Sequence, residues 1–256
     1  MKKCFIALIT VLSLVFVSQA DAHYLWLNVN NYNPEPGEEI AICIGWGHRF
    51  PQDGQPRMEM VKKMKLFLLE PDGKKIPLKI EFKKGIKPIK IHLKKPGVYL
   101  AVLGIKTFVS KTTEGYFYKP KDELKDVIMS KWSETTAVAV INVGHPGNVA
   151  LKELKECKYQ ILPFKNPAAL EKGQILPVKV IFEGKPSRTW VYATYAGFSE
   201  FKDTFAWTTR TDKKGIAKIK ILKEGIWLIK TDMRTPFSNP KKADESYFIS
   251  TLTFGI

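Results

Sequence analysis

The sequence predicts an all-β fold of two consecutive antiparallel β-sandwiches, immunoglobulin-like or transthyretin-like, with one short helix. Short apolar runs recur between turn signals, and some of them alternate in polarity with a period of two. The 17 glycines and 16 prolines accompany many β-branched and aromatic residues, which favours strands and turns over helices. A polar stretch at residues 152–156 separates the two series of runs. We therefore predict an N-terminal domain over residues 23–155 and a C-terminal domain over residues 156–256.

The N-terminal half contains the predicted helix as well as strands. Strands are predicted at residues 25–27, 40–44, 65–69, 89–94, 98–103 and 136–143. Strict alternation in the fourth run places Ile89, Ile91 and Leu93 on the inner face. The helix is predicted over residues 121–131, because Leu124, Val127 and Ile128 would share one helical face.

The C-terminal half consists of short apolar runs separated by turn residues. Strands are predicted at residues 159–162, 178–182, 190–195, 205–211, 217–222, 227–231 and 248–254. Seven short strands with this spacing are typical of an antiparallel sandwich of about 100 residues.

The first 22 residues have the pattern of a signal peptide. Lys2 and Lys3 precede an apolar run at residues 5–17, and small residues follow. The run is shorter than the roughly 20 residues that span a bilayer. We therefore expect an exported, periplasmic protein with no stable membrane insertion after cleavage.

Two cleavage points fit the small-residue rule, and each gives a different metal-binding terminus. Cleavage after Ala22, which we favour, makes His23 the N-terminus, where its amine and imidazole can chelate one ion. Cleavage after Ala20 leaves residues 21–23, whose amine, backbone amides and imidazole suit square-planar Cu(II) or Ni(II).

Charge and motif content exclude several functional classes. The 41 basic residues outnumber 25 acidic ones, but only five are arginine and the lysines are spread over the whole chain. Export and the scarcity of arginine argue against a nucleic-acid partner. The sequence has no Gly-x-Ser-x-Gly, P-loop or His-Glu-x-x-His motif, so we do not expect an enzyme.

Two cysteines, Cys43 and Cys157, remain after signal cleavage. Disulfides form in exported proteins, and a bridge between these two would stabilise the fold by about 4–5 kcal/mol in the chain-entropy model. The alternative is two separate thiols, with Cys43 buried in its strand.

Several motifs together resemble the exported family DUF4198, a domain of unknown function associated with periplasmic components of nickel and cobalt uptake systems. The motifs are His-Tyr-Leu-Trp-Leu at 23–27, Gly-Trp-Gly-His-Arg-Phe-Pro at 45–51, residues 110–116, residues 162–167 and residues 176–186. The resemblance covers nearly the whole mature chain. Its second half is also similar to transthyretin-like or carboxypeptidase-regulatory modules.

Three histidines are candidate metal ligands: His23, His48 and His145. His48 and His145 each follow a predicted strand beside glycine and proline, where loops present ligands from a rigid sheet. An amine with two or three imidazoles suits nickel, cobalt or copper better than calcium or magnesium. His92 lies between two outward lysines and is not expected to bind a cation.

Asp53 and Glu114 could orient a ligand imidazole, but we expect each to be an ordinary solvated surface acid. The resulting hypothesis is a protein that captures nickel or cobalt and supplies a membrane metal-uptake transporter. One alternative is a copper histidine-brace protein, either a redox enzyme or a copper carrier. Another is a metal-free structural or carbohydrate-binding module.

Overall fold

The computed structural model describes residues 23–145, 147 and 151–256, so the predicted signal peptide and its cleavage points lie outside the described residues. The all-β class predicted from the sequence is confirmed. The described part contains sixteen strands: β1 (Tyr24–Val29), β2 (Glu39–Gly47), β3 (Lys65–Leu69), β4 (Lys75–Leu78), β5 (Ile89–His92), β6 (Gly97–Thr112), β7 (Gly115–Phe117), β8 (Val127–Val143), β9 (Tyr159–Pro163), β10 (Ile175–Phe182), β11 (Lys185–Pro186), β12 (Trp190–Tyr195), β13 (Trp207–Arg210), β14 (Ile216–Lys220), β15 (Ile226–Pro236) and β16 (Glu245–Gly255).

Helical structure is limited to short segments. One α-helix, α1 (Met58–Val61), lies between β2 and β3, and 3-10 turns form at Lys121–Glu123 and Pro167–Ala169. In the part of the chain that the structure describes, no helix is long and apolar enough to span a membrane.

The strands form three sheets stacked in three layers. The central sheet has nine strands in the order β13-β12-β15-β16-β8-β6-β3-β4, with β7 added to β6. A sheet of β1, β2 and β5 covers one face, and a sheet of β9, β10, β11 and β14 covers the other. Alternate residues of β6 show this arrangement: Ala101 and Leu103 join the first core, whereas Leu100 and Val102 join the second.

Burial on both faces explains the composition of the central strands. Residues 134–143 of β8 are all buried. A strand covered on both sides is apolar along most of its length, without the alternation of a half-exposed strand.

The two halves predicted as separate domains share the central sheet. Residue 155 falls between β8 and β9. However, β16 of the C-terminal half pairs in parallel with β8 of the N-terminal half, from Glu245 opposite Lys131 to Thr253 opposite Ala139. The two cores therefore lie back to back on one sheet. A strand's own sequence pattern indicates its buried faces but not its partner strand, so this pairing was not predicted.

The helix predicted over residues 121–131 is wrong. Only a 3-10 turn forms at its start, and β8 begins at Val127, which pairs with Thr112 of β6. Asp126 has a positive φ of 50°, which interrupts any helix at this point. The three apolar residues have helical spacing, but two are β-branched and favour the strand that β6 offers.

Two buried threonines connect the first sheet to the central sheet. The Thr251 hydroxyl donates to the Leu25 carbonyl at 2.8 Å, and the Thr253 hydroxyl donates to the Leu27 carbonyl at 2.6 Å. Both threonines are at most 1% exposed. These bonds supply a donor to the Leu25 carbonyl and, beside the Tyr32 hydroxyl at 3.2 Å, a second donor to the Leu27 carbonyl, and they fix β1 over β16.

The two cysteines are free thiols. Cys43 is exposed on β2 in the first sheet, whereas Cys157 precedes β9 and packs against the second core. They therefore lie on opposite sides of the central sheet, and the bridge that the sequence allowed does not form. Burial raises the pKa of the Cys157 thiol to about 11.

Replacing both threonines by valine tests their role. We expect Thr251→Val with Thr253→Val to lower the free energy of unfolding by about 1–3 kcal/mol, since the buried Leu25 carbonyl loses its donor and the Leu27 carbonyl keeps the Tyr32 hydroxyl. Urea denaturation measures the change. The control is Thr208→Val on the exposed face of β13, which should stay within about 0.5 kcal/mol of the parent. A double variant as stable as this control would contradict the assignment.

The cysteines should differ in reactivity. With a pKa of about 11, only about a thousandth of Cys157 is thiolate at pH 8, against about a quarter for an ordinary thiol. In protein lacking residues 1–22 and carrying Cys43→Ser, iodoacetamide should label Cys157 about 100-fold more slowly than in the urea-unfolded chain. Without reductant, the unfolded parent should titrate two thiols. Absence of both thiols would mean that a disulfide forms.

Candidate metal centre

Antiparallel pairing of β1 with β2 brings two of the predicted ligands together. Tyr24 at the start of β1 lies opposite Gly47 at the end of β2. His23 and His48 are the next residues outward on the two strands, so they meet at the edge of this hairpin. Their ring centroids are 4.5 Å apart, with the ring planes inclined by 55°.

His48 is buried, and a carboxylate holds one of its ring nitrogens. Nδ1 lies 2.9 Å from Oδ2 of Asp203, and the residue is only 4% exposed. Because a carboxylate accepts a hydrogen bond, we assign the imidazole proton to Nδ1, which leaves a lone pair on Nε2. A carboxylate on the far nitrogen is typical of histidines that bind metals.

Nε2 of His48 is buried without a hydrogen-bond partner among the described residues. It is one of three such side-chain atoms, with Asn28 Oδ1 and Asn142 Nδ2. Of these three, only Nε2 of His48 is a ring nitrogen whose lone pair can bind a transition metal. A buried polar atom without a partner costs about 1–3 kcal/mol, and the lone pair of this nitrogen is available to a hydrogen-bond donor or to an ion.

The loop after β2 fixes the backbone of His48. Its N–H donates to Oδ2 of Asp53 at 2.8 Å, and Asp53 also pairs with Arg49 at 2.6 Å. Gly47 makes this approach possible, since it has a φ of +142° and a Cβ there would collide with the Asp53 carboxylate. Asp53 was considered as a partner for an imidazole, with a solvated surface position as the favoured expectation. It holds the main chain of His48 and not the ring.

Each residue of the Gly-Trp-Gly sequence before His48 has a separate contact. A Cβ on Gly45 would overlap the indole of Trp26, whose Nε1 donates to the Pro51 carbonyl at 3.1 Å. Trp46 stacks in parallel with His23, with centroids 5.2 Å apart and an interplanar angle of 3°. This indole surface limits the orientations of the His23 ring.

Asp203, which sequence analysis missed, comes from the loop between β12 and β13 in the other half of the chain. Its N–H donates to the carbonyl of His48 at 3.0 Å, so backbone and side chain both bind this histidine. Asp203 adopts a positive φ of 50°, a conformation that aspartate tolerates better than most residues. In the sequence it is an ordinary loop acid 155 residues from His48.

Tyr24 contributes a neutral hydroxyl group that donates a hydrogen bond within the site. Its hydroxyl donates to the His48 carbonyl at 3.3 Å. Burial, and then the negative charges of Asp203 and Asp53, raise the pKa of Tyr24 above its usual value. The phenol therefore stays protonated near neutral pH and is not a phenolate ligand.

The third predicted ligand, His145, lies elsewhere. It follows β8, is exposed, and has its Nε2 3.6 Å from Oε1 of Glu35. Glu35 follows the C-terminal end of β1, whereas His23 precedes the N-terminal end of this six-residue strand. The strand is about 20 Å long, so the structure does not bring His145 to the other two histidines.

The other candidates also lie apart from the pair. Glu114 is in the turn between β6 and β7, where its N–H donates to the Thr112 hydroxyl at 3.1 Å. His92 is exposed and lies 3.5 Å from Glu39. Across the described ranges, no group of three or more histidine, cysteine, aspartate or glutamate side chains is arranged to hold a metal ion.

Solved structures with some similarity to the chain are distant. A DUF4785 family protein from Legionella pneumophila is 10% identical, with 83% of this chain covered and a TM-score of 0.30. The chain spans about half, 53%, of that protein's length. The D0-D1 domain of intimin is 10% identical over 92% of this chain and 100% of its own, with a TM-score of 0.24. Escherichia coli alpha-2-macroglobulin is 10% identical over 92% of this chain and 14% of its own, with a TM-score of 0.25.

The sequence matches no curated protein. The sequence profile of one family, described as a domain of unknown function, DUF4198, matches residues 20–235. This match includes both strands of the hairpin, both paired histidines and Asp203. The chain belongs to the DUF4198 family.

Proposed function

We propose that this protein is exported to the periplasm, captures nickel or cobalt through His23 and His48, and supplies the ion to a membrane transporter. The observation that carries the proposal is the unpaired, buried Nε2 of His48, which lies beside His23 and is oriented through Asp203. Structural histidines usually have both ring nitrogens satisfied, whereas a ligand histidine keeps one lone pair for the ion.

The N-terminal amine supplies a further donor. Two imidazoles alone hold a divalent ion weakly, and the described residues offer no third side-chain ligand beside them. Cleavage after Ala22 would place an amine on His23 itself, which can close a chelate ring with its imidazole. Three nitrogen donors of this kind favour late first-row ions over calcium or magnesium.

The distance between the His23 and His48 rings suits two neighbouring positions in the coordination sphere of one ion. An ion bonded at about 2 Å to one nitrogen of each ring separates the centroids by about 4–5 Å when the bonds are at right angles, and by about 6 Å when they are opposite. The observed 4.5 Å matches the first case. A T-shaped copper brace places its imidazoles opposite each other, so the geometry supports a carrier over a brace enzyme.

The unequal burial of the two ligands suits binding followed by transfer. His48 is 4% exposed and is held by Asp203, so it forms the fixed side of the site. His23 is exposed, and Trp46 stacks against its ring. A transporter can replace the His23 donors from the solvent side while His48 still holds the ion.

Metal titration with matched variants tests the site. We expect the mature protein to bind Ni(II) or Co(II) with submicromolar affinity, and His48→Ala to weaken binding by about 100-fold or more, because one of the few donors is lost. Asp203→Asn should weaken binding by about 10–100-fold, since an amide can donate to Nδ1 and move the proton to Nε2. Isothermal titration measures both.

The control for these titrations is His92→Ala, which removes an exposed histidine on β5 and should leave affinity unchanged. Circular dichroism should show the same fold for all variants. Binding weaker than micromolar for nickel, cobalt, copper and zinc would instead support a metal-free module. Peroxide-dependent substrate oxidation by the copper-loaded protein would support the enzyme alternative.

The mature terminus is a separate prediction. Mass spectrometry of the exported protein should find a chain that begins at His23, because the proposal uses its amine. A variant with one glycine inserted before His23 keeps both imidazoles but moves the amine away from His23. It should bind nickel at least about 10-fold more weakly, because the chelate ring between the amine and the imidazole is lost. A terminus far from His23, or equal affinity of the two proteins, would contradict the role of the amine.

A further inference from the structure

A groove of about 920 Å³ lies on the part of the molecule formed by β3, β4 and β6. The segment before β9, with Glu156 and Cys157, forms part of its wall. It shares no lining residue with the candidate metal centre. Its volume is within the range of about 300–1,000 Å³ that is typical of small-molecule sites.

The floor of the groove is apolar. Phe67 of β3 lies opposite Pro77 of β4 and opposite Val102 of β6, and these three residues line the groove on one face of the central sheet. Phe67 is only partly buried and Pro77 is exposed, and the Lys75 ammonium group lies over part of this surface, 3.7 Å from the centroid of the Phe67 ring. Such a floor accepts a hydrocarbon chain by removing apolar surface from water, at about 25 cal/mol per Å².

Gly104 lies in the floor, in the interior of β6, and no local constraint explains it. Its φ is outside the left-handed region, and a Cβ placed on it would have no atom within 4 Å. Glycine inside a strand lowers stability, and where neither backbone nor packing demands it, it often marks a close approach by a ligand. Here the missing side chain leaves the space above the β6 backbone open.

Positive charge surrounds this apolar floor. Five lysines line the groove against two acids, Glu134 and Glu156. Lys106 pairs with Glu134 at 2.9 Å and Lys75 pairs with Glu156 at 3.0 Å, so both acids are already neutralised. The excess positive charge is carried by the remaining lysines, Lys62, Lys63 and Lys65.

Of these, Lys63 donates to the Thr107 hydroxyl at 2.8 Å and to the Tyr118 carbonyl at 3.0 Å. Lys62 and Lys65 form no ion pair within the described residues. Lys65 lies directly opposite Gly104 in the β3–β6 register. An unpaired ammonium group is therefore next to the open part of the floor.

We propose that this groove binds an amphiphile with a single hydrocarbon chain and an anionic head group, the chain lying against β6 at Gly104 and the head group pairing with Lys62 and Lys65. The shared chemistry is that of a free fatty acid and of an anionic lysophospholipid. The proposal is independent of metal binding, because the two sites have no residue in common.

Titration with defined amphiphiles tests this proposal on the mature protein. Dodecanoate represents the free acid, lysophosphatidylglycerol the lipid, and dodecanol the uncharged chain, each used below its critical micelle concentration. We expect saturable binding at micromolar concentration by at least one anionic ligand and about 10-fold weaker binding of dodecanol. The tighter anionic ligand identifies the source.

Gly104→Leu is the decisive variant, because it fills the groove at a position with room for a side chain. It should keep the circular dichroism spectrum and the melting temperature, yet weaken binding at least about 10-fold. Gly104→Ala provides a milder version if the leucine perturbs folding. Lys62→Gln with Lys65→Gln should remove the preference for the anion, whereas Lys213→Gln with Lys241→Gln, on exposed positions elsewhere, should not.

Three results would overturn the proposal. The first is absence of saturable binding by both anionic ligands. The second is unchanged affinity in a folded Gly104 variant, which would place the ligand elsewhere. The third is equal binding of dodecanol and dodecanoate, or an anion preference that survives loss of Lys62 and Lys65, which would remove the role of the lysines.

Discussion

The antiparallel register of β1 on β2 is the constraint on which the candidate metal centre depends. Because Tyr24 lies opposite Gly47, the residues just beyond them, His23 and His48, must meet. A shift of one residue would turn alternate side chains to the other face and separate the rings. The register is fixed where Leu25 and Leu27 enter the first core and where threonines of β16 bind their carbonyls.

The same site joins the two halves of the chain. Asp203 reaches His48 from the C-terminal half, and this is possible because β12 and β15 belong to the same sheet as β8 and β6. Parallel pairing of β16 with β8 completes that sheet. The orientation of one imidazole therefore depends on the assembly of the whole central layer, and the two cores on its faces supply the rigidity that a preorganised site requires.

Sequence reasoning succeeded where local pattern carries the information. The strand at residues 190–195 was predicted with the bounds that β12 has, and Ile89 and Leu93 are buried as their alternation indicated. It failed where partners decide the outcome. The segment around Val127 has helical spacing, but β6 provides backbone hydrogen bonds that convert it to strand.

The site was only partly predictable for the same reason. His23 and His48 carry local signals, a terminus after small residues and a glycine-flanked loop. Asp203 carries none, since only tertiary structure brings it 2.9 Å from the imidazole. His145 has the same local signal as His48 and yet lies at the other end of β1, which shows that glycine and proline beside a histidine indicate a loop but not a shared site.

A crystal structure of the nickel-loaded mature protein, with anomalous scattering recorded at the nickel edge, tests the central claim most directly. The account predicts one ordered ion bonded to Nε2 of His48 and to His23, with Asp203 still on Nδ1. An ion bound elsewhere, or His48 with no bond to nickel, would contradict it.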